Sequence, residues 1–497
     1  MKKGLKSKIL AIMCGVCCII ATGCGQKKTE TSTQKEESMY NHAELVIVGE
    51  QTREVLMKKR GFSFWFLVWG LGIAGQICWN MENQWFNTFV YAKIAKDPTI
   101  ISWMVAISAI ATTLSTFLFG CVSDRRGKRK PFIAIGYILW GVFTIVFGMT
   151  QFITEGAGAT KGSVLVVAGV SVVIADAVMS FFGSMGNDVG FNTWMNDHMD
   201  DDNRGQLGAA MATQPVIGTI AGTVIGGMLV GAEDNYMRLF LVMGIAVILF
   251  GIYCLFAMKD SPETKPSVRG SFSEQFFSIF NVKEYIKHRE LVWVNLSLAM
   301  YFIAFNMYFT HLGNYMIYYL GFTADMMGYI EGIGLVLAML AVIPSTKLIN
   351  KGYIPQLCQV SVILNCIGVG ILGLFVRPEN VNVKTLMNPT LLIGIFILGL
   401  GYMLFLQSIS VWGKQLYPED SRGQFEGIRI VFFVLIPMIV APLISNPIIM
   451  RSGQFIDENG FVAYLPTHTL LIVGAVLVLI TLLPLHFAKK IYNQRVK

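Results

Sequence analysis

About twelve apolar runs, most of 20 or more residues, constrain this chain more than any other feature of its sequence. A run of that length with few charges can cross a bilayer as a helix. Short charged, glycine- or proline-bearing connections separate the runs. The predicted spans are 62–91, 101–122, 132–153, 163–196, 207–231, 238–258, 291–319, 327–350, 354–376, 388–413, 424–449 and 467–487. We therefore predict an all-α membrane protein with about twelve transmembrane helices.

Composition and charge distribution agree with a membrane protein. Hydrophobic residues make up 54% of the chain and charged residues 14%, with a mean hydropathy of +0.57, which excludes an ordinary soluble domain. The formal charge of +8 does not indicate nucleic acid, because the connections on one side carry roughly 23 Lys and Arg against about 7 on the other. The positive-inside rule therefore predicts that both ends of the bundle face the cytoplasm.

The N-terminal segment conflicts with this orientation. Residues 1–24 have a basic start, a short apolar core and a small-residue site that ends in Cys24, as in a bacterial lipoprotein signal peptide, and residues 25–60 are a polar extension. Export of this segment would force the first span to enter from the wrong side against Lys58, Lys59 and Arg60. We therefore interpret the segment as a fusion, a misassigned start or an unprocessed extension, with a working lipoprotein signal as the alternative. The bundle itself is predicted in a bacterial inner membrane.

Two similar segments divide the chain into halves. WMNDHMDDDNRGQ begins at Trp194 and WGKQLYPEDSRGQ begins at Trp412, and in both the tryptophan and the final Arg-Gly-Gln keep the same spacing. The first lies between spans 4 and 5 and the second between spans 10 and 11. A polar, basic linker, 259–290, separates residues 61–258 from 291–497. Two parallel six-helix repeats with a binding site between them are the architecture of a large class of transporters.

The connection between spans 2 and 3, GCVSDRRGKRKP, resembles the G-x-x-x-D-R-x-G-R/K-R/K signature of the major facilitator superfamily. The matching residues are Gly120, Asp124, Arg125, Gly127, Lys128 and Arg129. The resemblance implies a major facilitator fold with a cytoplasmic gate, in which Gly120 allows close helix approach and charge pairs break when the halves rock. Arg204 and Arg422, from the repeated segments, are assigned to the same gate. A basic loop without a gating role is the alternative.

Within that superfamily, NDVGFNTWMND, at 187–197, resembles the end of the fourth helix in the glycoside, pentoside and hexuronide cation symporters. The aspartate that serves sugar and coupling-ion binding there corresponds to Asp188. Gly190 stands where that family has proline. The two acidic residues on helix 2 of its sodium-coupled members correspond to Thr116 and Thr112, which argues against sodium coupling.

Helix 1 carries a polar stripe. Gln76, Asn80, Asn83 and Asn87 fall within an arc of roughly 60°, with Trp79 beside them. Amides donate and accept hydrogen bonds as sugar hydroxyl groups do, and an indole suits the apolar face of a sugar ring. The stripe therefore predicts a sugar-binding cavity. Hydrogen bonding between helices is the alternative.

Helix 4 adds two carboxylates to a polar face of Ser180, Ser184 and Asn187. A carboxylate within the membrane is costly unless it is hydrated, paired or protonated, and is a functional candidate by default. We predict that Asp188 and, second, Asp176 bind the coupling proton. An ion pair with a base of another helix is the alternative, and Arg429, next to Glu426, is the nearest such base.

Helix 7, which has the place in the second half that helix 1 has in the first, supplies a second stripe, Asn306, Thr310 and Asn314. The family resemblance implies that this stripe faces the first. The predicted substrate-binding residues are therefore Gln76, Trp79, Asn80, Asn83, Asn87, Ser184, Asn187, Asn306, Thr310 and Asn314. His311 and Glu331 are interpreted as interfacial residues near the ends of their helices. Glu82 lies off the amide stripe and is not assigned a role.

No enzyme motif is present in the sequence, and no cofactor or metal site is predicted. The expected partners are a small-molecule sugar or glycoside, a proton and membrane lipid, with no nucleic acid, and the expected state is a monomer. The sequence thus predicts a secondary active sugar symporter. A drug or metabolite exporter is the alternative, because PVIGTIAGTVIGG, at 215–227, resembles the glycine-rich helix of superfamily antiporters; close helix packing would also explain it.

Overall fold

The computed structural model describes residues 61–155, 161–200, 202–262, 264–267, 270–278, 282–417, 422–457 and 462–496. Within them lie 12 helices long and apolar enough to cross a membrane. They are α1 Phe62–Ile94, α2 Pro98–Arg126, α3 Lys130–Ile153, α4 Gly162–Asp197, α5 Arg204–Val230, α6 Tyr236–Ala257, α7 Arg289–Tyr319, α8 Ala324–Asn350, α9 Ile354–Phe375, α10 Pro389–Gln415, α11 Phe425–Ser452 and α12 His468–Arg495. The lipoprotein-like segment and the polar extension lie outside the described residues.

Three shorter features complete the secondary structure. Two short helices, Phe272–Ser278 and Val282–Lys287, belong to the linker between α6 and α7. Strands β1 (Gln454–Ile456) and β2 (Val462–Tyr464) form an antiparallel hairpin between α11 and α12. Short π-helical turns occur within four of the spans, at Val90–Ile94, Ser184–Phe191, Tyr315–Tyr319 and Val431–Leu435.

The predicted all-α fold with twelve spans is confirmed, and the differences are confined to helix ends. At α2 the side chain of Asp97 accepts a hydrogen bond of 2.8 Å from the Thr99 N–H, and Pro98 occupies the first turn. The helix therefore begins three residues before the predicted position. It ends at Gly127, whose φ of 60° is the left-handed conformation that favours glycine.

Helices α1 to α6 pack mainly against one another, and so do α7 to α12. In the first set α1 contacts α5, α2 contacts α4 and α3 contacts α6; in the second α7 contacts α11 and α9 contacts both α10 and α12. Exposed apolar side chains form stripes such as Val166, Val170 and Ile174 of α4, one helical turn apart. Such stripes are the surface that lipid tails would cover.

The two sets of helices meet at one end, which we call the contact side: the side where α1 and α7 end and α2 and α8 begin. There Ser102 of α2 donates a hydrogen bond of 2.7 Å to Asn446 of α11, and Asn314 of α7 donates one of 3.2 Å to the Asn87 carbonyl of α1. The hairpin reaches across as well, because the Tyr464 N–H donates to the Lys96 carbonyl at 2.8 Å.

The opposite end, where α1 and α7 begin, is more open, and we call it the basic side. The glycines of α5 show the difference. A Cβ on Gly218, Gly222 or Gly226 would stand within 3 Å of Gln76, Asn80 or Trp85 of α1, and one on Gly227 would do so with the Ala324 carbonyl of α8. Toward the basic side, a Cβ on Gly205 or Gly208 would have no described atom within 4 Å. The glycine-rich run of α5 therefore serves close packing.

Gly120 corrects one expectation. The sequence predicts a close helix approach at this position, but a Cβ there would have no described atom within 4 Å. The reason is that no described atom of a neighbouring helix packs against this position.

The repeated segments hold the two ends of the linker. Trp194 is buried at the end of α4 and donates a hydrogen bond of 2.8 Å to the Lys259 carbonyl, where the linker starts. Trp412 is buried near the end of α10 and donates one of 2.8 Å to the Glu290 carboxylate, where α7 starts. Arg495 of α12 pairs with the same carboxylate at 2.8 Å. The two tryptophans thus have similar places and similar tasks in the two halves.

Candidate functional site

The amide stripe of α1 divides along its length. Asn87 is buried where α1 meets α7, and its amide donates to the Asn83 carbonyl at 2.8 Å. Asn83, one turn toward the basic side, is half-buried and donates to the Trp79 carbonyl at 2.7 Å. Trp79 and Gln76 are also half-buried. The stripe is therefore buried where the bundles meet and becomes partly exposed toward the basic side.

Asn80 points from this stripe toward α5. It is buried, and its side-chain oxygen accepts a hydrogen bond of 3.3 Å from Thr223. The same hydroxyl also lies 3.0 Å from the side-chain oxygen of Gln84, a buried residue of α1 that sequence analysis did not select. Asn80 therefore contributes to the packing of α1 on α5.

The polar stripe of α7 mirrors that of α1. Asn314 is buried and bonded to the Asn87 carbonyl, whereas Thr310 and Asn306, one and two turns toward the basic side, are half-buried. From the Asn87 and Asn314 contact toward the basic side, the members of both stripes thus change from buried to half-buried. His311, interpreted as interfacial, is instead 2% exposed, with its Nε2 atom 3.4 Å from the Ser445 hydroxyl of α11.

Part of the polar face of α4, with Ser184 and Asn187, lies in the π-helical turn Ser184–Phe191, where Gly186 packs against Gly136 of α3. Asn187 is buried in the first bundle and donates a hydrogen bond of 2.7 Å to the Tyr137 hydroxyl. Ser184 is also buried, 2.7 Å from the Thr116 hydroxyl of α2. Both residues therefore join helices within one bundle.

Asp188 differs from its neighbours on α4 because it is half-buried and lies beside Trp79 of α1. The Trp79 indole nitrogen is buried without a hydrogen bond of normal geometry to any described residue. The Trp79 ring packs on Trp140, with ring centres 5.0 Å apart. A carboxylate and an indole N–H thus lie next to each other at the edge of the stripe.

Glu82 forms a second acidic group that sequence analysis left unassigned. Its Oε1 atom accepts hydrogen bonds of 2.8 Å from Ser108 of α2 and 2.8 Å from Ser180 of α4. Asp176, 1% exposed, lies close enough for its carboxylate to interact electrostatically with that of Glu82. One oxygen of each carboxylate is buried without a hydrogen-bond partner among the described residues. The amide periodicity could not reveal this group, because Glu82 faces away from the stripe.

The second bundle contributes aromatic side chains that pack on α7. Tyr402 of α10 is half-buried and stacks on Phe305 of α7, with ring centres 4.7 Å apart. Phe433 of α11 packs edge-on against Phe302 at 4.5 Å. Arg429 binds Glu426 at 2.6 Å rather than an aspartate of α4. The alternative of an ion pair between Arg429 and Asp176 or Asp188 is therefore not realised in this conformation.

The connection between α2 and α3, residues 120–131, lies on the basic side, and we call it the signature loop. It holds an ion-pair network. Arg129 is buried and binds Asp124 at 2.7 Å and Asp197 of α4 at 2.9 Å. Burial acts to lower the pKa of Arg129, but the hydrogen bond and charge of Asp197, together with Asp124, raise it above its ordinary value. The loop is thus locked to the end of α4.

The linker lies on this same loop. The Ser267 N–H donates to the Asp124 carbonyl at 2.8 Å, and Arg125 donates to the Gly270 carbonyl at 3.1 Å. A Cβ on Gly127 would stand 2.6 Å from the Pro266 nitrogen, so only glycine fits under the linker. Lys128 and Arg204 are exposed. The side chain of Arg422 lies outside the described residues.

Among the described residues, no group of three or more His, Cys, Asp or Glu side chains is arranged to hold a metal ion. The two stripes and the residues beside them provide amides, hydroxyl groups, aromatic faces and one carboxylate. Such a set can bind a neutral polar molecule through hydrogen bonds and stacking.

Comparisons with known proteins identify similar chains. The sequence profile of the Major Facilitator Superfamily matches residues 77–442. No curated protein matches significantly. Among solved structures, an inward-facing bacterial homologue of the human lysosomal transporter Spinster has a TM-score of 0.63 at 12% identity, covering 86% of this chain and 97% of its own.

Two further structures belong to sugar and nucleoside transporters. A variant of the nucleoside transporter NupG has a TM-score of 0.61 at 13% identity, covering 85% of this chain and 99% of its own. The partially occluded, inward-open xylose transporter XylE from E. coli has a TM-score of 0.58 at 14% identity, covering 86% and 99%. Identities this low support a shared fold.

Proposed function

The chain belongs to the Major Facilitator Superfamily, and from that membership we propose that it carries a sugar or glycoside across the membrane by alternating access, in symport with a proton. Its being a multi-pass membrane transporter follows from the family and the twelve apolar helices. We propose the substrate class, the coupling to a proton and the direction of transport. Its partial resemblance in sequence to the glycoside, pentoside and hexuronide cation symporters belongs to the proposal as well.

One observation carries the proposal: half-buried hydrogen-bonding residues of α1 and α7 lie next to the point where the bundles meet, on its basic side. Asn83 and Thr310 lie one turn from the Asn87 and Asn314 contact, and Gln76 and Asn306 continue the two stripes. Trp79 and Tyr402 add aromatic faces. Paired amides, a hydroxyl group and aromatic rings match the alternating polar edge and apolar face of a sugar.

Proton coupling is assigned to Asp188, with Asp176 and its neighbour Glu82 as a second, deeper group. A carboxylate that alternates between a wet and a dry position binds and releases a proton as the bundles rock. Asp188 touches the sugar-binding stripe through Trp79, so substrate and proton can influence each other there. One solved relative is described as a D-xylose-proton symporter, which supports this assignment.

The basic side is assigned to the cytoplasm, because the excess of Lys and Arg lies there. The conformation described is then closed to the outside and open to the inside. We place the protein in a bacterial inner membrane as a monomer.

Purified protein in lipid nanodiscs tests the substrate class through a thermal-shift screen of monosaccharides, glycosides, nucleosides and amphipathic dyes. We expect a sugar or glycoside to raise the melting temperature by several degrees, because a ligand that binds only the folded state stabilises it. Proteoliposomes should then accumulate the labelled sugar under an inward proton gradient. Stabilisation by dyes alone, with dye expelled under the gradient, would overturn the sugar proposal in favour of an exporter.

A further inference from the structure

Glu331 of α8 lies buried at the boundary between the two bundles. Sequence analysis interpreted it as an interfacial residue near the end of its helix, but it is 3% exposed, and its Oε2 atom accepts a hydrogen bond from the Gln84 amide of α1. Thr223 of α5 donates to the Gln84 oxygen at 3.0 Å. A carboxylate of the second bundle is thus tied to α1 and α5 of the first.

In the part of the chain that the structure describes, the helices around Glu331 carry no Lys or Arg along their middle turns. The Lys and Arg residues of α1, α5, α7, α8 and α10 all lie near helix ends, at Lys93, Arg204, Arg289, Lys347 and Lys414. The titratable groups on its own helix are Asp325 and Tyr329, and His311 of α7 is turned to Ser445 of α11. Glu82 is two residues from Gln84 and faces α2 and α4 instead.

The rest of the contact around Glu331 is made by small and apolar groups. A Cβ on Gly328 would meet the Thr223 carbonyl at 2.8 Å, and one on Gly332 would meet Val224 at 2.3 Å, so α5 and α8 touch on both sides of the carboxylate. The Oε1 atom of Glu331 is buried without a hydrogen-bond partner among the described residues. Among the described residues, an anion at Glu331 therefore has no second hydrogen-bond donor.

An ionised carboxylate in such a contact would cost several kcal/mol, whereas a protonated one is neutral and needs only the amide of Gln84. When the bundles part on the contact side, α8 leaves α5 and α1, and water can hydrate the carboxylate. The closed arrangement thus holds one more proton than the open one. A state that holds more protons gains population as the pH falls.

We propose that Glu331 is a proton-binding site at the bundle boundary, protonated when the contact side is closed and ionised when it opens, so that acidification closes this side. The inference rests on the alternating access proposed above but on no particular substrate. It assigns a role in gating to a residue separate from Asp188 and Asp176.

Distance measurements between spin labels test the proposal without any sugar. Labels would be attached at Ala232→Cys, in the turn after α5, and Asn380→Cys, in the turn after α9, both exposed and on the contact side. The carrier is the full chain in nanodiscs, with its other cysteines replaced. We expect the interlabel distance to shorten as the pH is lowered, with the population changing over about two pH units for a single proton.

Glu331→Gln imitates the protonated side chain and keeps the acceptor for Gln84. We expect this variant to show the short distance at every pH. The parent is the labelled protein with native Glu331. The control Asp325→Asn, on the same helix, should keep the parent's change of distance with pH. Retention of the parent's full pH response by Glu331→Gln would overturn the proposal, and so would a distance that never depends on pH in the parent.

A second variant protects the test against misfolding of the first. Gln84→Leu removes the hydrogen bond that helps to hold an anion at Glu331. We expect the midpoint of closure to move up by about one pH unit, a tenfold change in proton affinity. A midpoint that stays at the parent's value would contradict the proposal.

The outcomes separate this inference from the sugar proposal. If a sugar changes the interlabel distance while pH does not, the transporter assignment stands and the role of Glu331 is wrong. If closure depends on Glu331 while no sugar binds, the gating role stands and the substrate class is wrong.

Discussion

At the scale of single residues, hydrogen-bond partners divide the polar side chains of α1 and α4 into two kinds. Asn187 donates to Tyr137 and fills the space beside Gly75, where a Cβ would stand 2.0 Å from its amide nitrogen. Asn83 uses one amide hydrogen on its own helix and is half-buried. The first kind stabilises a bundle, and we propose that the second kind binds substrate.

Asn83→Ala should therefore weaken sugar binding about fivefold with little change in melting temperature, because a net hydrogen bond contributes about 1 kcal/mol. Titration of the sugar selected by the thermal-shift screen measures the affinity. Asn187→Ala is the matched comparison: it should lower the melting temperature, since the Tyr137 hydroxyl loses a buried partner. A destabilised Asn83→Ala with unchanged affinity would show that Asn83 serves packing instead.

Asp188→Asn should abolish uphill accumulation of that sugar while leaving exchange of sugar across the membrane. The amide keeps the size and hydrogen bonding of the side chain but cannot release a proton, so coupling is lost and binding is not. Proteoliposomes with an imposed proton gradient measure accumulation, and counterflow without a gradient measures exchange. Normal accumulation by Asp188→Asn would exclude this residue as the coupling site; Asp325→Asn is the control.

Periodicity revealed the stripes of α1 and α7, and the family resemblance implied that they face each other, but neither could give the partners of their members. Asn80 and Asn83 lie on one stripe, yet only the packing of α5 decides that Asn80 meets Thr223. The same holds for Glu82, which appeared isolated because its partners, Ser108 and Ser180, come from other helices. A pattern within one helix shows on which face of the helix a side chain lies, whereas the hydrogen-bond partners of that side chain depend on long-range packing.

At the scale of elements, the linker is held by the basic side of both bundles. Trp194 fixes its start, Trp412 fixes the first turn of the helix that follows, and the signature loop lies beneath its middle. The repeated tryptophans were recognisable in the sequence as equivalent positions. The hydrogen-bond acceptors of these tryptophans could not be recognised in the sequence, because neither Lys259 nor Glu290 belongs to the repeat.

Gly127→Ala tests the loop beneath the linker. The left-handed φ of 60° costs an alanine about 1 kcal/mol, and its Cβ would in addition displace Pro266. We expect a lower melting temperature and faster proteolytic cleavage within residues 259–290. Gly205→Ala, where a Cβ would meet no described atom within 4 Å, should change neither property. Equal effects of the two substitutions would contradict the docking of the linker on Gly127.

At the scale of the whole molecule, closure on one side and separation on the other follow from where small residues stand. Gly226 and Gly227 let α5 approach α1 and α8 on the contact side, whereas Gly205 and Gly208 of the same helix have no close neighbour among the described residues. A rocking motion that opens the contact side would bring the basic ends together and give Gly120, Gly205 and Gly208 neighbours. Both conformations would then use glycine at their closest contacts.

Cross-linking Ser102→Cys to Asn446→Cys tests whether this motion is required. The native side chains are 2.7 Å apart across the boundary of α2 and α11, so a short bifunctional thiol reagent should join the cysteines and hold the contact side closed. The joined protein should still be stabilised by the sugar, which reaches its site from the basic side, but should not transport it. A cleavable reagent should restore transport on reduction, and each single cysteine variant serves as a control. Transport that continues at the parent's rate with the bridge intact would rule out opening of this side as a step in the cycle.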